Sequence, residues 1–104
     1  LYPRAAGGMM DTLEEVYGAL TGQGRLEWIG EKKSAAVLYF SRGRKQYKVY
    51  FDDSNVEITV KKRQFGNEYW DSIGQRRYIS PEDSLDDVFE TVMWCVKEYG
   101  WRGR

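Results

Sequence analysis

The sequence contains no histidine, and this absence excludes more functions than any residue present suggests. Among 104 residues there is also only one cysteine, Cys95. Histidine is the usual general base near neutral pH and the commonest metal ligand, so Ser-His-Asp and Cys-His nucleophile systems are excluded. Zinc sites built from cysteine and histidine are excluded for the same reason. We therefore predict that the protein is not an enzyme and that it holds neither a metal nor a cofactor.

Two further absences bear on where the protein works. No apolar run approaches the roughly 20 residues that span a bilayer, so no membrane partner is expected. A lone cysteine cannot form an internal disulfide, which is typical of proteins in a reducing compartment. These observations favour a cytoplasmic protein.

Length and composition predict one domain. Hydrophobic residues make up 41% of the chain and aromatic residues 15%, which is enough to form one core and argues against disorder. Residues 1–8 begin with Leu-Tyr-Pro-Arg, which resembles an imperfect copy of an engineered protease site, and end in two glycines. We expect residues 1–8 to be the remnant of a tag and residues 9–104 to be the domain.

Helical periodicity marks both ends of this domain. From Asp11 to Leu20, apolar residues recur at helical spacing, and Thr12 with Glu15 forms a capping box. Near the carboxyl end, Ser80-Pro81 or Ser84 opens a second helix, and Gly100 is predicted to end it. The apolar stripe of this second helix consists of Leu85, Val88, Phe89, Val92, Val96 and Tyr99, flanked by Met93 and Cys95.

Between the helices the period changes to that of β-strands. Four segments are predicted as strands, at residues 26–29, 35–41, 46–52 and 56–61. A fifth is suggested at 75–79, whereas Phe65, Tyr69 and Trp70 are expected to cover an edge of the core. Short turns force antiparallel pairing of neighbouring strands. The prediction is an α+β fold, with a meander sheet of four to five strands, an N-terminal helix and a C-terminal helix packed on one face.

Charge is distributed unevenly although it sums to zero. Residues 25–77 hold 12 basic and 7 acidic side chains, whereas residues 78–104 hold three basic and six acidic ones. The sheet is thus basic and the C-terminal helix acidic, which would orient the molecule toward a charged partner. The alternative is that the helix starts simply hold the acidic residues that they prefer.

The sheet face that the C-terminal helix leaves uncovered is the first candidate binding surface. It is predicted to carry Lys48, Tyr50, Thr59 and Lys61, joined by Tyr39 or Phe40. Aromatic rings among cations can stack bases while the cations hold phosphates, and they also suit a protein interface. A third interpretation is that the N-terminal helix packs on this face, which would then be core.

Trp94 is the second candidate. It falls on the polar side of the C-terminal helix, opposite the apolar stripe, and exposed tryptophans often anchor protein interfaces. The alternative is that the segment 65–79 or the N-terminal helix covers it.

These features lead to two functional hypotheses. The first is a non-enzymatic module that binds a protein partner, as an inhibitor, an immunity-type protein or an adaptor, through Trp94, Tyr50, Tyr39, Lys48 and Lys61. The second is a single-stranded nucleic-acid binder that uses Arg42, Arg44, Lys45, Lys48, Tyr50 and Lys61. A homodimer through the open sheet face is a further interpretation of the same surface.

Overall fold

A five-stranded antiparallel sheet carries two helices on one face. The structure, a computed structural model, describes residues 10–78 and 84–102, with side chains through residue 98. In chain order the elements are helix α1 (Leu13–Leu20), strands β1 (Arg25–Ile29), β2 (Ala35–Arg42), β3 (Lys45–Asp52), β4 (Asn55–Gln64) and β5 (Asn67–Arg77), and helix α2 (Ser84–Arg102). Strands adjacent in the chain are adjacent in the sheet. The predicted α+β meander with a helix at each end is confirmed.

The tight turns of the meander follow from their residues. Arg42 and Lys45 form the last pair of the β2–β3 ladder, which leaves only Gly43 and Arg44 to reverse the chain. Gly43 has a φ of 57°, a left-handed conformation that glycine adopts without steric cost. Two-residue loops of this kind join strands whose twist they match.

Helix α1 begins where the capping box predicts. The side chain of Thr12 accepts a hydrogen bond of 3.2 Å from the backbone N–H of Glu15, which satisfies one of the unpaired donors at the helix start. Val16 and Leu20 are fully buried, and α1 packs against α2 and β2. The interpretation in which α1 covers the opposite sheet face is therefore wrong.

The core lies between the helices and one face of the sheet. Alternate residues of β3 and β4 point into it, beginning with Tyr47 and ending with Val60. Burying each large apolar side chain contributes about 1.5–3 kcal/mol, so this layer holds the fold together. Its largest fully buried side chains are Phe51, Leu20, Leu38, Val16, Val49, Val56, Val88 and Val92.

Helix α2 confirms the predicted stripe but not its predicted end. Val88, Phe89, Val92 and Val96 are buried, whereas the side chain of Tyr99 lies outside the described residues, as does the alternative helix start at 80–81. The helix continues through Gly100 to Arg102. A glycine inside a helix costs only about 1 kcal/mol relative to alanine, which the helix tolerates at Gly100.

Strand β5 is the element that the sequence prediction placed least well. It spans 11 residues and pairs with β4 along its whole length, with only Phe65 and Gly66 between the two strands. Gly74 lies inside the strand, next to a bulge between Ile58 and Thr59. Phe65 is 94% exposed and Tyr69 is 42% exposed, so the prediction that these two residues cover the core edge is wrong, whereas Trp70 is partly buried.

The tip of the β4–β5 hairpin is strained at Phe65. Gln64 pairs with Asn67, so Phe65 and Gly66 form a two-residue loop, with φ values of 52° and 83°. Positive φ at both central residues is the pattern of a type I′ turn, which favours asparagine at the first position. For a residue with a bulky side chain, the left-handed conformation costs roughly 1–2 kcal/mol. The exposed ring gains no burial to offset this cost.

Replacing Phe65 by asparagine is therefore expected to stabilise the protein. Phe65→Asn should raise the free energy of unfolding by about 1 kcal/mol, which corresponds to roughly 4–8 °C in Tm for a domain near this size. Thermal unfolding followed by circular dichroism measures this change. Phe65→Ala is the matched control, because it removes the ring but keeps the β-carbon at positive φ. A variant Phe65→Asn that melts below Phe65→Ala would contradict the turn assignment.

Candidate binding surfaces

The sheet face opposite the helices carries the predicted aromatic and basic residues. Strand pairing places Tyr39 beside Lys48 and Lys48 beside Thr59, and Tyr50 and Lys61 follow by the alternation of β3 and β4. The choice between Tyr39 and Phe40 is settled by burial, since Phe40 stacks on Tyr47 in the core. We call this surface the open face.

Trp70 joins the open face and was not predicted there. Its ring centroid lies 6.3 Å from that of Tyr39, although β3 and β4 separate their strands. In a flat sheet strands this far apart are roughly 14 Å from each other, so the sheet curls and the two side chains lean together. The ring of Trp70 also lies 4.6 Å from the ammonium of Lys48 and 5.6 Å from that of Lys61. Pairing with Lys61 places Trp70 on this face, whereas alternation counted from Gly74 would place it on the helix side, so the sequence pattern alone does not find it.

Tyr39, Trp70, Lys48 and Lys61 form a cluster on the open face, and each of its two aromatic rings has a cation against it. The guanidinium of Arg25 lies 4.0 Å from the ring centroid of Tyr39. The ammonium groups of Lys48 and Lys61 lie against the ring of Trp70. Such contacts contribute about 0.5–1 kcal/mol each at exposed sites. On the same face Val37, which lies between Glu27 and Tyr50, is buried although neither described helix packs there. Side chains of the sheet itself therefore cover the open face.

Carboxylates surround the cations of the open face. The hydroxyl of Tyr50 donates to Asp52 over 2.9 Å, and burial together with this hydrogen bond raises the pKa of Tyr50. Glu57 accepts a hydrogen bond of 3.0 Å from Ser72, and Glu68 lies 3.6 Å from Lys61. The surface is thus mixed in charge rather than basic.

The three cations of the β2–β3 turn do not extend this cluster. Alternation along β2 places Arg42 on the same side of the sheet as buried Phe40, and alternation along β3 places Lys45 on the same side as buried Tyr47. Arg44 lies in the turn itself and is exposed. The six residues proposed for nucleic-acid binding are therefore divided between two faces and a turn.

A groove lies on the helix side of the sheet, between β5 and α2. Helix α2 packs mainly over β2, β3 and β4, so β5 projects past it and leaves a space of about 470 Å³. The floor is apolar, and Gly74 adds no side chain to fill it. We call this space the β5–α2 groove; it is lined by Val56, Ile58, Gly74, Gln75, Arg76, Tyr78, Asp87, Glu90, Thr91, Trp94 and Cys95.

Trp94 stands at the rim of this groove and is 50% exposed. The alternative that segment 65–79 or α1 covers it does not hold, because the indole keeps half of its surface. Asp87 and Glu90 lie on the same wall, and Arg76 lies on the opposite wall. The groove therefore combines an apolar floor, one large aromatic ring and charges of both signs.

Tyr78 fixes β5 against α2 and bounds the groove. Its hydroxyl donates to the backbone carbonyl of Asp87 over 3.1 Å and contacts the hydroxyl of Thr91. Burial raises the pKa of Tyr78, so the phenol stays protonated and able to donate. This contact fixes the relative position of the two walls.

The described residues, 10–78 and 84–98 for side chains, hold no group of three or more potential metal-ligating side chains. In the same part of the chain no helix is long and apolar enough to cross a membrane. No family model, curated protein or solved structure matches this sequence or fold.

Cys95, in the floor of the groove, is expected to be unreactive in the folded protein. Burial raises its pKa from 9.0 to about 12, so the thiolate is scarce near pH 8. Because the unfolded thiol ionises at lower pH than the folded one, stability is lost as the pH rises above about 9 toward 12.

Two measurements test this prediction. Alkylation by iodoacetamide at pH 8 should be slow in buffer and fast in denaturant. Urea unfolding should show a fall in stability between pH 9 and 10, and Cys95→Ala should remove most of it. Tyr50 and Tyr78 also have raised pKa values, but a phenol ionises in the unfolded chain only near pH 10.0, so their effect on stability begins at higher pH. Rapid alkylation of the native protein would show that the thiol is accessible.

Proposed function

We propose that this domain is a non-enzymatic protein-binding module that accepts an apolar segment of its partner in the β5–α2 groove. The observation that carries the proposal is Trp94, half-exposed above an apolar floor. Tryptophan is among the residues that most often dominate binding energy at protein interfaces. An inhibitor, an immunity-type protein or an adaptor would act in this way.

The size and composition of the groove fit this role. Its volume of about 470 Å³ lies within the range of about 300–1,000 Å³ found for ligand pockets, which admits one or two large side chains. Val56 and Ile58 form a floor for an apolar anchor, and the indole of Trp94 would close over it. Asp87, Glu90 and Arg76 stand around this floor, as polar groups do at the rim of an interface.

The open face supports a protein partner better than a nucleic acid. Phosphates approaching Lys48 and Lys61 would also meet the carboxylates of Asp52, Glu57 and Glu68, and like charges repel. A protein partner can supply groups of both signs. We therefore assign the open face a secondary part in the same interface, with Tyr39 and Tyr50 as its rings.

Peptides selected from a random phage-displayed library against the purified domain provide a probe for the groove. A selected peptide should shift the indole N–H signal of Trp94 in NMR spectra and leave that of Trp28, which stacks on Tyr17 at 4.2 Å. Trp94→Ala should weaken binding about thirtyfold, as expected for an interface anchor.

Gly74→Val tests the floor without removing a contact. A β-carbon at Gly74 would lie 3.4 Å from the side chain of Ile58, an ordinary contact, and valine suits a strand better than glycine. Binding should fall while Tm is maintained. Ile29→Ala is the matched control, because Ile29 is 41% exposed on the opposite edge strand. Peptides whose binding survives both groove variants would rule out this site.

The alternative is a single-stranded nucleic-acid binder centred on Trp70. Stacking a base contributes about 1–3 kcal/mol, more than the cation–π contact that it would displace. The cluster of Trp70, Tyr39, Lys48 and Lys61 is the observation in its favour.

We expect a fluorescent oligothymidine to stay unbound at low salt, because carboxylates flank the cluster. Fluorescence anisotropy across a salt series measures this. Binding that weakens with a logarithmic slope of about −0.7 per phosphate, and that Lys48→Gln with Lys61→Gln abolishes, would instead support the alternative. Arg44→Gln is the control, since Arg44 lies apart from the cluster.

A further inference from the structure

Strand β5 is a long, unpaired edge of the sheet. It spans 11 residues, whereas β1 at the other edge spans five. Within the described residues no strand pairs with the outer side of β5. Exposed edges present unpaired N–H and C=O groups to any extended chain, and proteins usually protect them with short strands, charged side chains, proline or bulges. β5 is long and contains no proline.

The charges of β5 are divided by sign along the strand. Glu68 and Asp71 lie in the half near the hairpin tip, where β4 offers Glu68 a contact with Arg63 over 3.1 Å and Asp71 a contact with Lys62 over 2.7 Å. Arg76 and Arg77 lie in the half near α2. Within the described residues neither arginine has a carboxylate within ion-pair distance. Two copies of β5 aligned antiparallel would bring the acidic half of each against the basic half of the other. An edge of uniform sign would repel its own copy; this one attracts it.

Because of the bulge, residues that would lie opposite each other in this self-pairing have side chains on the same face of the sheet. Asp71 and Arg76 are five residues apart and would lie on opposite faces of a regular strand. Their partners on β4, Val60 and Val56, both face the core, so the register shift at Ile58/Thr59 places Asp71 and Arg76 on the same face. An antiparallel alignment that sets Asp71 of one copy opposite Arg76 of the other therefore pairs side chains of like direction.

The remaining pairs of this alignment agree with it. Trp70 faces Arg77 on the open face, where a guanidinium can lie against the indole. Tyr69 faces Tyr78 on the helix side, and Ser72 faces Gln75. Each contact occurs twice, because the two-fold axis passes between Ile73 and Gly74 and the interface is isologous.

We propose that β5 is a dimerisation edge that pairs antiparallel with β5 of a second copy, with Asp71 opposite Arg76. The second copy would also supply Tyr69 and Asp71 as an outer wall to the β5–α2 groove, which the single chain leaves open. The dimer goes beyond the proposed function: peptide capture in the groove can succeed or fail independently of self-association, which is measured without any peptide.

Sedimentation velocity of the full chain over a concentration series tests the pairing. The unmodified chain should shift from monomer to dimer as its concentration rises. Arg76→Asp sets like charges opposite each other at two symmetry-related positions and should weaken the dimer about tenfold or more. The charge swap Asp71→Arg with Arg76→Asp should restore it. Arg44→Asp carries the same change in net charge outside β5 and should have no effect.

Hydrogen exchange identifies the surface independently of the variants. Amides of residues 69–78 should gain protection with increasing concentration, and those of β1 should not. A chain that stays monomeric throughout, or a dimer that forms with unchanged protection of β5, overturns the proposal. So does a dimer that Arg76→Asp leaves intact. If Arg76→Asp melts like the parent protein and only the charge swap recovers the dimer, the register is supported.

Discussion

The packing of helix α2 on β3 and β4 is the contact on which the rest of the molecule depends. Val88 and Val92 contribute fully buried side chains from the helix, and Phe51 and Val49 contribute them from the sheet. Burial of this kind stabilises by about 1.5–3 kcal/mol for each large side chain. Because α2 lies over β2, β3 and β4, α1 packs beside it, and β5, which the meander order leaves at the edge, extends past the helix. The β5–α2 groove and the open face both follow from the position of α2 on the sheet.

The position of α2 also explains why the two faces differ in character. On the helix side, β5 extends past α2, so the apolar floor at Val56 and Ile58 is only partly covered. On the open side no helix is present, and the sheet is covered by its own long side chains instead. Lysine and arginine stems and aromatic rings can shield apolar surface while their polar ends stay in water. Val37 is buried in this way between the side chains of Glu27 and Tyr50.

The sequence predicted the fold well because its signals were local. Two helical stripes, a capping box at Thr12 and the alternation of β3 require no knowledge of distant residues. β5 escaped prediction because Gly74 and the bulge interrupt its alternation, and an isolated glycine is also typical of a turn. Trp94 could be proposed as a binding residue from the sequence because it is a large aromatic residue on the polar side of an amphipathic helix. Trp70 could not, because its partner Tyr39 is brought close only by the curl of the sheet.

Bulge, glycine and exposed tryptophan are best understood together. A bulge in an edge strand bends that strand and re-aims its side chains, and here it occurs where β5 passes the floor of the groove. Gly74 at the same place keeps the floor open, at a cost to strand stability that a larger residue would avoid. Neither feature improves the packing of the single chain, and Trp94 buries only half of its surface. Three departures from the most stable choice are gathered around one groove, and departures of this kind are expected at functional sites, which is the physical basis for proposing the groove as a binding surface.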